Sequence, residues 1–252
     1  MLLAIDIGNS NILFGMFDGE KLLQQHKIPT EVVHSFGKCN AVIYNLSHRE
    51  KVDRIIISSV VPDALLSLKK VLGRVFRCDI YVLGENIKAP IKNLYQKPKQ
   101  VGQDRLVNGV AAAAIYNKAR KNPLVVIDFG TAVTFDVISK KNEYLGGVIF
   151  PGIKLSVETL TRRAALLPKV TIKEPSCVIG KDTKDSMRSG ILYGYASICD
   201  GIIGRIRAKY GKKLKVIATG GDAALIAKHA PSIGKVDLNL TLKGLRIISE
   251  RI

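Results

Sequence analysis

The chain has 252 residues, 47% hydrophobic and 24% charged, with 39 basic against 21 acidic side chains and a net charge of +18. That balance fits a globular protein that buries well over half of its unfolded surface, and excludes a disordered chain or a mini-domain dependent on staples. The four cysteines (Cys39, Cys78, Cys177, Cys199) lie far apart, with no Cys-x-x-Cys pair and no histidine at zinc spacing, and read as reduced thiols.

The basic excess invites a nucleic-acid reading, but lysine and arginine are spread along the whole chain. No helix-turn-helix, zinc finger or aromatic stacking motif accompanies them, so no nucleic-acid partner is expected. Asp6 and the turn at Gly8 break the opening apolar residues, which excludes a secretory signal. No run approaches the roughly 18 apolar residues of a membrane span. A cytoplasmic protein without membrane partners is expected.

In chain order, Leu2–Ile5 and Ile12–Phe17 read as strands about a tight turn, and Asp18-Gly19 is a hairpin signal into a third strand, Lys21–Ile28. A helix over Ser35–Leu46, a strand over Arg54–Val60, a helix from Pro62 to Leu72 and a strand over Ile80–Leu83 follow. Gly102-Gln103-Asp104-Arg105 precedes an alanine-rich helical run, Leu106–Ala119. The polar stretch Asn117–Pro123 marks a boundary. Beyond it come strands over Val125–Asp128, Val133–Ile138 and Tyr144–Ile149, helices over Lys154–Ala165 and Ser186–Tyr210, a strand over Leu214–Ala218, and a helix after Gly221-Asp222. The stretch Ser186–Tyr210 reads equally as core or as subunit contact.

The same element order is thus written twice, and Ile5-Asp6-Ile7-Gly8-Asn9-Ser10 matches Ile127-Asp128-Phe129-Gly130-Thr131-Ala132. A duplicated α/β fold is predicted, with halves at 1–117 and 118–252 and a cleft between them.

Each half carries a carboxylate at a strand end followed by a glycine turn. Gly8 permits a positive φ and lets backbone N–H groups face an anion, while Asn9, Ser10 and Asn11 add neutral donors. Asp128-Phe129-Gly130-Thr131 repeats the arrangement. Either turn alone reads first as an ordinary β-turn, and it is the pair that favours an anion site. Facing each other, the two could hold successive phosphates of one nucleotide, and Asp6 and Asp128 the cations that phosphoryl transfer requires. Thr219-Gly220-Gly221-Asp222 opens a helix and suits the adenosine end, though such a Gly-Gly is often a tight connection only. Asp104 is either a helix cap or the base that accepts a substrate hydroxyl proton. The helix end alone is too weak to shift it, so it should stay ionised and weakly basic. Arg105 can clamp a carboxylate with two prongs. No Gly-x-x-x-x-Gly-Lys-Ser/Thr, Gly-x-Gly-x-x-Gly or Gly-x-Ser-x-Gly motif is present, and the four histidines lack metal spacing.

These segments together resemble type III pantothenate kinase, of the actin-like ATPase superfamily with its ribonuclease H-like βββαβαβα domains. The resemblance spans the chain and rests on Asp6–Asn11, Asn93-Leu94-Tyr95, Gly102–Arg105, Asp128–Thr131, Gly146–Gly152, Gly180–Thr183 and Thr219–Gly221. It implies ATP-dependent phosphorylation of pantothenate, the first step of coenzyme A synthesis. It further implies that Asp6, Ile7, Gly8, Asn9, Ser10, Asn11, Ile12, Leu13 and Thr131 contact ATP, with Gly220 and Gly221 at its adenosine end. Tyr95, Gly102, Gln103, Asp104, Arg105 and Thr183 would contact pantothenate, with Asp104 as proton acceptor. Asp128 would bind potassium or ammonium, and Asp6 magnesium. The resemblance also implies a homodimer in which Thr183 reaches the partner subunit's substrate. A non-catalytic regulatory or accessory protein on the same fold is the rival reading.

Overall fold

The structure is a computed structural model that describes residues 1–34, 43–44, 51–119 and 121–252. It forms two compact units, Met1–Tyr116 together with Leu240–Ile252, and Asn117–Asn239. The expected junction at 117 lies beside the observed one. The last thirteen residues, expected with the second half, return to the first.

In the first unit, β1 (Leu2–Ile7), β2 (Asn11–Asp18) and β3 (Lys21–Pro29) form an antiparallel meander, and β4 (Arg54–Ser59) and β5 (Asp79–Val82) add in parallel, giving the order β3-β2-β1-β4-β5. β1 and β4 are continuous apolar runs because helices cover both faces of the sheet. On one face Leu3, Ile5 and Ile7 meet Leu68 and Leu72 of α1 (Pro62–Val75). Pro62 suits that helix's first turn, where no N–H is needed, and Ala64, Leu65, Leu68, Val71 and Leu72 form its buried stripe. On the other face Ala4 and Ile56 meet Val107 and Val110 of α2 (Gln103–Tyr116) and Leu242, Leu245 and Ile248 of the C-terminal helix (Leu240–Ser249). A Cβ on Gly244 would stand 2.6 Å from the Val107 carbonyl oxygen, so glycine there lets the two helices approach closely. The helix expected over Ser35–Leu46 lies outside the described residues except for Ile43 and Tyr44. β6 (Lys92–Asn93) is two residues long.

In the second unit, β7 (Leu124–Phe129), β8 (Ala132–Ile138) and β9 (Glu143–Pro151) repeat the antiparallel meander, and β10 (Lys215–Gly220) and β11 (Lys235–Val236) add in parallel to β7. Their order, β9-β8-β7-β10-β11, reproduces that of the first unit strand for strand. This shared topology bears out the duplicated actin-like architecture. Three helices accompany the sheet: α3 (Ile153–Arg163), α4 (Thr183–Tyr210) and α5 (Ala223–Ala227). Met187, Ile191, Leu192, Tyr195, Ala196, Cys199 and Ile203 form a buried stripe along α4 at three- and four-residue spacing, so that face is core.

Candidate active site

In the first unit β1 ends in Asp6-Ile7 and turns through Gly8, whose N–H donates to the Asn11 carbonyl at 3.0 Å. Gly8 does not take the positive φ expected of it. Its requirement is close approach instead, since a Cβ there would lie 3.2 Å from the Asn11 oxygen. Thr30, which the sequence reading missed, fixes the turn from β3's end. Its hydroxyl donates to the Gly8 carbonyl at 2.6 Å and its N–H to the Ser10 carbonyl at 3.1 Å. Asn9 and Ser10 are exposed, whereas the Ile7 and Ile12 side chains are sealed in the core, so only their backbone can meet a ligand. Asp6 is half-buried and pairs across the sheet with Leu13 on β2 and Ser58 on β4.

α2 begins at Gln103, three residues before its expected start, which places Asp104 inside the first turn rather than at the cap. The Arg105 N–H donates to Asp104 Oδ1 at 2.8 Å. Burial pushes the Asp104 carboxyl above its ordinary value, against the lowering effects of the Arg105 N–H and charge. Asp104 is therefore a stronger base than the helix end alone would make it. Gly102 is demanded by this carboxylate: a Cβ would stand 2.4 Å from Asp104 Oδ1 and 3.3 Å from Val60 Cγ1. Val60 in turn donates its N–H to the Ile7 carbonyl at 3.1 Å. Asp104 and Val60 thus both border Gly102, and Val60 is hydrogen-bonded to Ile7 before the Gly8 turn. Gln103 packs beside Gly84, which holds φ +84°. Arg105 is buried. Tyr95 follows an Asx turn in which its N–H donates to Asn93 Oδ1 at 3.0 Å and Asn93 Nδ2 donates to the Pro98 carbonyl at 3.2 Å.

In the second unit β7 ends in Asp128-Phe129, and the Gly130 N–H donates to the Ala132 carbonyl at 3.1 Å. Thr131, exposed at the tip, accepts from the Gly152 N–H at 3.1 Å. A Cβ on Gly152 would stand 2.2 Å from the Thr131 oxygen, so glycine is obligatory where α3 begins. The sequence contained Gly152 within a quoted motif but gave it no role. Gly220 holds φ +92°, and the Gly221 N–H donates to the Phe129 carbonyl at 3.1 Å. Asp128, the Gly130-Thr131 turn, Gly152 and Gly220-Gly221 therefore meet at the carboxyl ends of β7 and β10. A cavity of about 510 Å³ adjoins this point, with Asp222, Ile153, Val157, Thr161 and Lys169–Ile172 in its wall. Thr183 is the exposed first residue of α4, capped by Asp182 Oδ1 accepting from the Asp185 N–H at 2.8 Å. It belongs to the second unit, the other substrate candidates to the first.

The two turns differ by one residue. Ile7 pairs with Ile12 across four intervening positions, whereas Phe129 pairs with Val133 across three. Among the described residues no three His, Cys, Asp or Glu side chains gather as a metal site. A lone carboxylate at each turn suits hard cations that take most of their ligands from phosphate and water.

Residues 2–205 match the family model for type III pantothenate kinase. A type III pantothenate kinase of Syntrophus aciditrophicus (strain SB) is 43% identical over all of this chain and 99% of its own length. One from Syntrophobacter fumaroxidans is 45% identical over all of this chain and 98% of its own. Among solved structures, a ROK family glucokinase from Streptomyces griseus in complex with glucose and AMPPNP superposes with a TM-score of 0.60 at 12% identity, covering 100% of this chain and 99% of that one. An inorganic polyphosphate/ATP-glucomannokinase from Arthrobacter sp. strain KM gives 0.55 at 17% identity, with the same coverage. These structural likenesses establish the fold.

Proposed function

This chain belongs to the type III pantothenate kinases, and from that membership we propose that it transfers the γ-phosphoryl group of ATP to the hydroxyl of pantothenate, with Asp104 as proton acceptor. The observation that supports the assignment of Asp104 is its place in the first turn of α2 beside Gly102, next to Val60, which is hydrogen-bonded to Ile7 before the Gly8 turn. As the hydroxyl oxygen bonds to phosphorus and the bond to the β-phosphate oxygen breaks, the hydroxyl proton passes to an Asp104 oxygen. A loose transition state asks for that proton late, and a carboxylate with a raised pKa suits the task. Arg105 holds the pantothenate carboxylate, with Tyr95, Gly102 and Gln103 completing the substrate loop.

The backbone of residues 6–13 and Thr131 hold the phosphates, and the cavity beside Asp222 receives the adenosine behind Gly220-Gly221. Magnesium near Asp6 and potassium or ammonium near Asp128 neutralise developing charge when bound. We read the working form as a cytoplasmic homodimer. Six large apolar side chains stand exposed in the second unit between residues 149 and 179, among them Leu166 at 92%, Ile179 at 81% and Ile149 at 63%, a density that calls for a cover. Thr183 follows that segment directly and would serve the partner's substrate.

The test is an assay of purified protein with ATP, magnesium, potassium and pantothenate, reading 4′-phosphopantothenate by mass. Its formation, abolished in Asp104→Asn, is the expected result. Tight pantothenate binding without turnover would favour a regulatory protein instead.

A further inference from the structure

Three segments meet at the end of the second unit away from its glycine turns: residues 117–119 and 121–123 leading into β7, 139–142 at the β8–β9 hairpin, and 207–215 from the end of α4 into β10. The Lys215 N–H donates to the Pro123 carbonyl at 3.1 Å, and Leu124 pairs with both Lys215 and Ile138. Asn117 Nδ2 donates to Asn142 Oδ1 at 2.9 Å and Asn117 Oδ1 accepts from the Asn122 N–H at 3.3 Å, which ties the linker to the hairpin. Together the described residues of these segments hold nine basic side chains and no acidic one, with Glu143 bordering the hairpin, against 39 and 21 in the whole chain. Charges that look dispersed in the sequence are gathered by the fold. Lys118, Lys121, Lys140, Lys141, Lys212 and Lys213 are exposed, and among the described residues none of the six is in an ion pair. Asp128 lies about 13 Å away along β7, at ordinary strand rise.

We propose that this lysine pole docks the phosphate backbone of duplex nucleic acid. Six unpaired like charges repel one another, and a partner with regularly repeated anions relieves that repulsion while releasing counterions. Lysine ammonium groups need no fixed orientation toward a phosphate, so the surface reads charge and not sequence. The starts of β10, β7 and β9 and the end of β8 span about 14 Å at normal strand spacing, close to the roughly 12 Å width of a DNA major groove. Tyr210, the one exposed aromatic ring in these segments, lies under the Lys209 ammonium at 5.5 Å from the ring centroid. Among the described residues no exposed aliphatic side chain larger than alanine accompanies it, which disfavours insertion into lipid or stacking on a single strand.

The experiment is fluorescence anisotropy of a labelled random-sequence 24-base-pair duplex, titrated with the full chain at several salt concentrations. Micromolar binding at 50 mM salt is expected, falling steeply by 200 mM with a log–log slope of about −0.9 per phosphate contacted. The quadruple variant Lys140→Glu, Lys141→Glu, Lys212→Glu, Lys213→Glu should bind at least tenfold more weakly while phosphorylating pantothenate at the parent rate. A control of equal charge change in the first unit, Lys21→Glu, Lys27→Glu, Lys70→Glu, Lys88→Glu, should retain binding. If the reversal at the pole impairs folding by circular dichroism, the same four positions changed to Gln carry the comparison. Equal weakening in the control, absence of duplex binding at 50 mM salt, or preference for phosphatidylserine vesicles over duplex would each overturn the proposal.

Discussion

A Cβ placed on Gly220 would stand 2.7 Å from Oδ1 of Asp128 and 2.5 Å from the Phe129 carbonyl oxygen. The last residues of β10 and β7 are therefore packed so closely that the second turn, its carboxylate and the Gly-Gly connection act as one piece. Gly220→Ala meets this clash and a backbone at φ +92° together. It is expected to cost about 1–3 kcal/mol, read as a lower melting temperature, and to raise the KM for ATP more than that for pantothenate. An unaltered KM for ATP would separate Gly220 from the nucleotide.

Asp104→Asn removes the proposed proton acceptor and keeps the side-chain shape. Turnover should fall about 10²–10⁴-fold while ATP binding, followed by equilibrium dialysis, stays within about twofold. Arg105→Ala should act mainly on the KM for pantothenate.

The raised pKa of Asp104 fixes the sign of two pH effects. The ionised form is the base, so kcat/KM should decline as pH falls through a value above that of an ordinary aspartate. For stability, the folded state holds the proton more tightly than the unfolded state. Asp104 therefore disfavours folding progressively as pH rises from the unfolded to the folded pKa, and the penalty persists above. Asp104→Asn should consequently melt higher than the parent at pH 7 and converge with it in acid. Equal melting temperatures at both pH values would show that burial does not act on this carboxyl.

Activity should need potassium or ammonium besides magnesium if Asp128 holds a monovalent cation. Replacing potassium with sodium should reduce turnover severalfold, and Asp128→Asn should blunt the difference. Full turnover of the parent in sodium would remove Asp128 from that role.

The exposed apolar residues of the second unit predict their own consequence. Leu166→Asp with Ile179→Asp should convert a dimer to a monomer in sedimentation, and should lower activity because Thr183 then has no partner to serve. A parent chain that sediments as a monomer would refute the dimer.

Much of this was legible in the sequence because local signals and global fold agree. The glycine turns, the Asp18-Gly19 hairpin and Pro62 mark boundaries by backbone chemistry, and the strands expected between them match within a few residues. The C-terminal helix is not legible in the sequence because Gly244 breaks a ten-residue segment that propensity alone does not favour; its stability comes from packing on Ala4, Ile56, Val107 and Val110. Thr30 escaped for a different reason. It lies some twenty residues from the turn it fixes, and only the β2–β3 register brings its hydroxyl to the Gly8 carbonyl. The expected start of α2 falls three residues late because Gly102, Gln103 and Asp104 look like a connection, while the fold uses that glycine to make room for a carboxylate.

The path of the chain orders its own assembly. Residues 117–239 form one compact body, spliced between segments that belong to the other. On a ribosome, the second body has all its residues before the first does. Ala4, Ile56 and Val107 are made early, yet their apolar neighbours Leu242, Leu245 and Ile248 emerge only after the whole second body. A nascent chain with residues up to about 239 outside the ribosome would carry the Asp128 turn in finished surroundings while the face of the sheet behind Asp6 stayed wet.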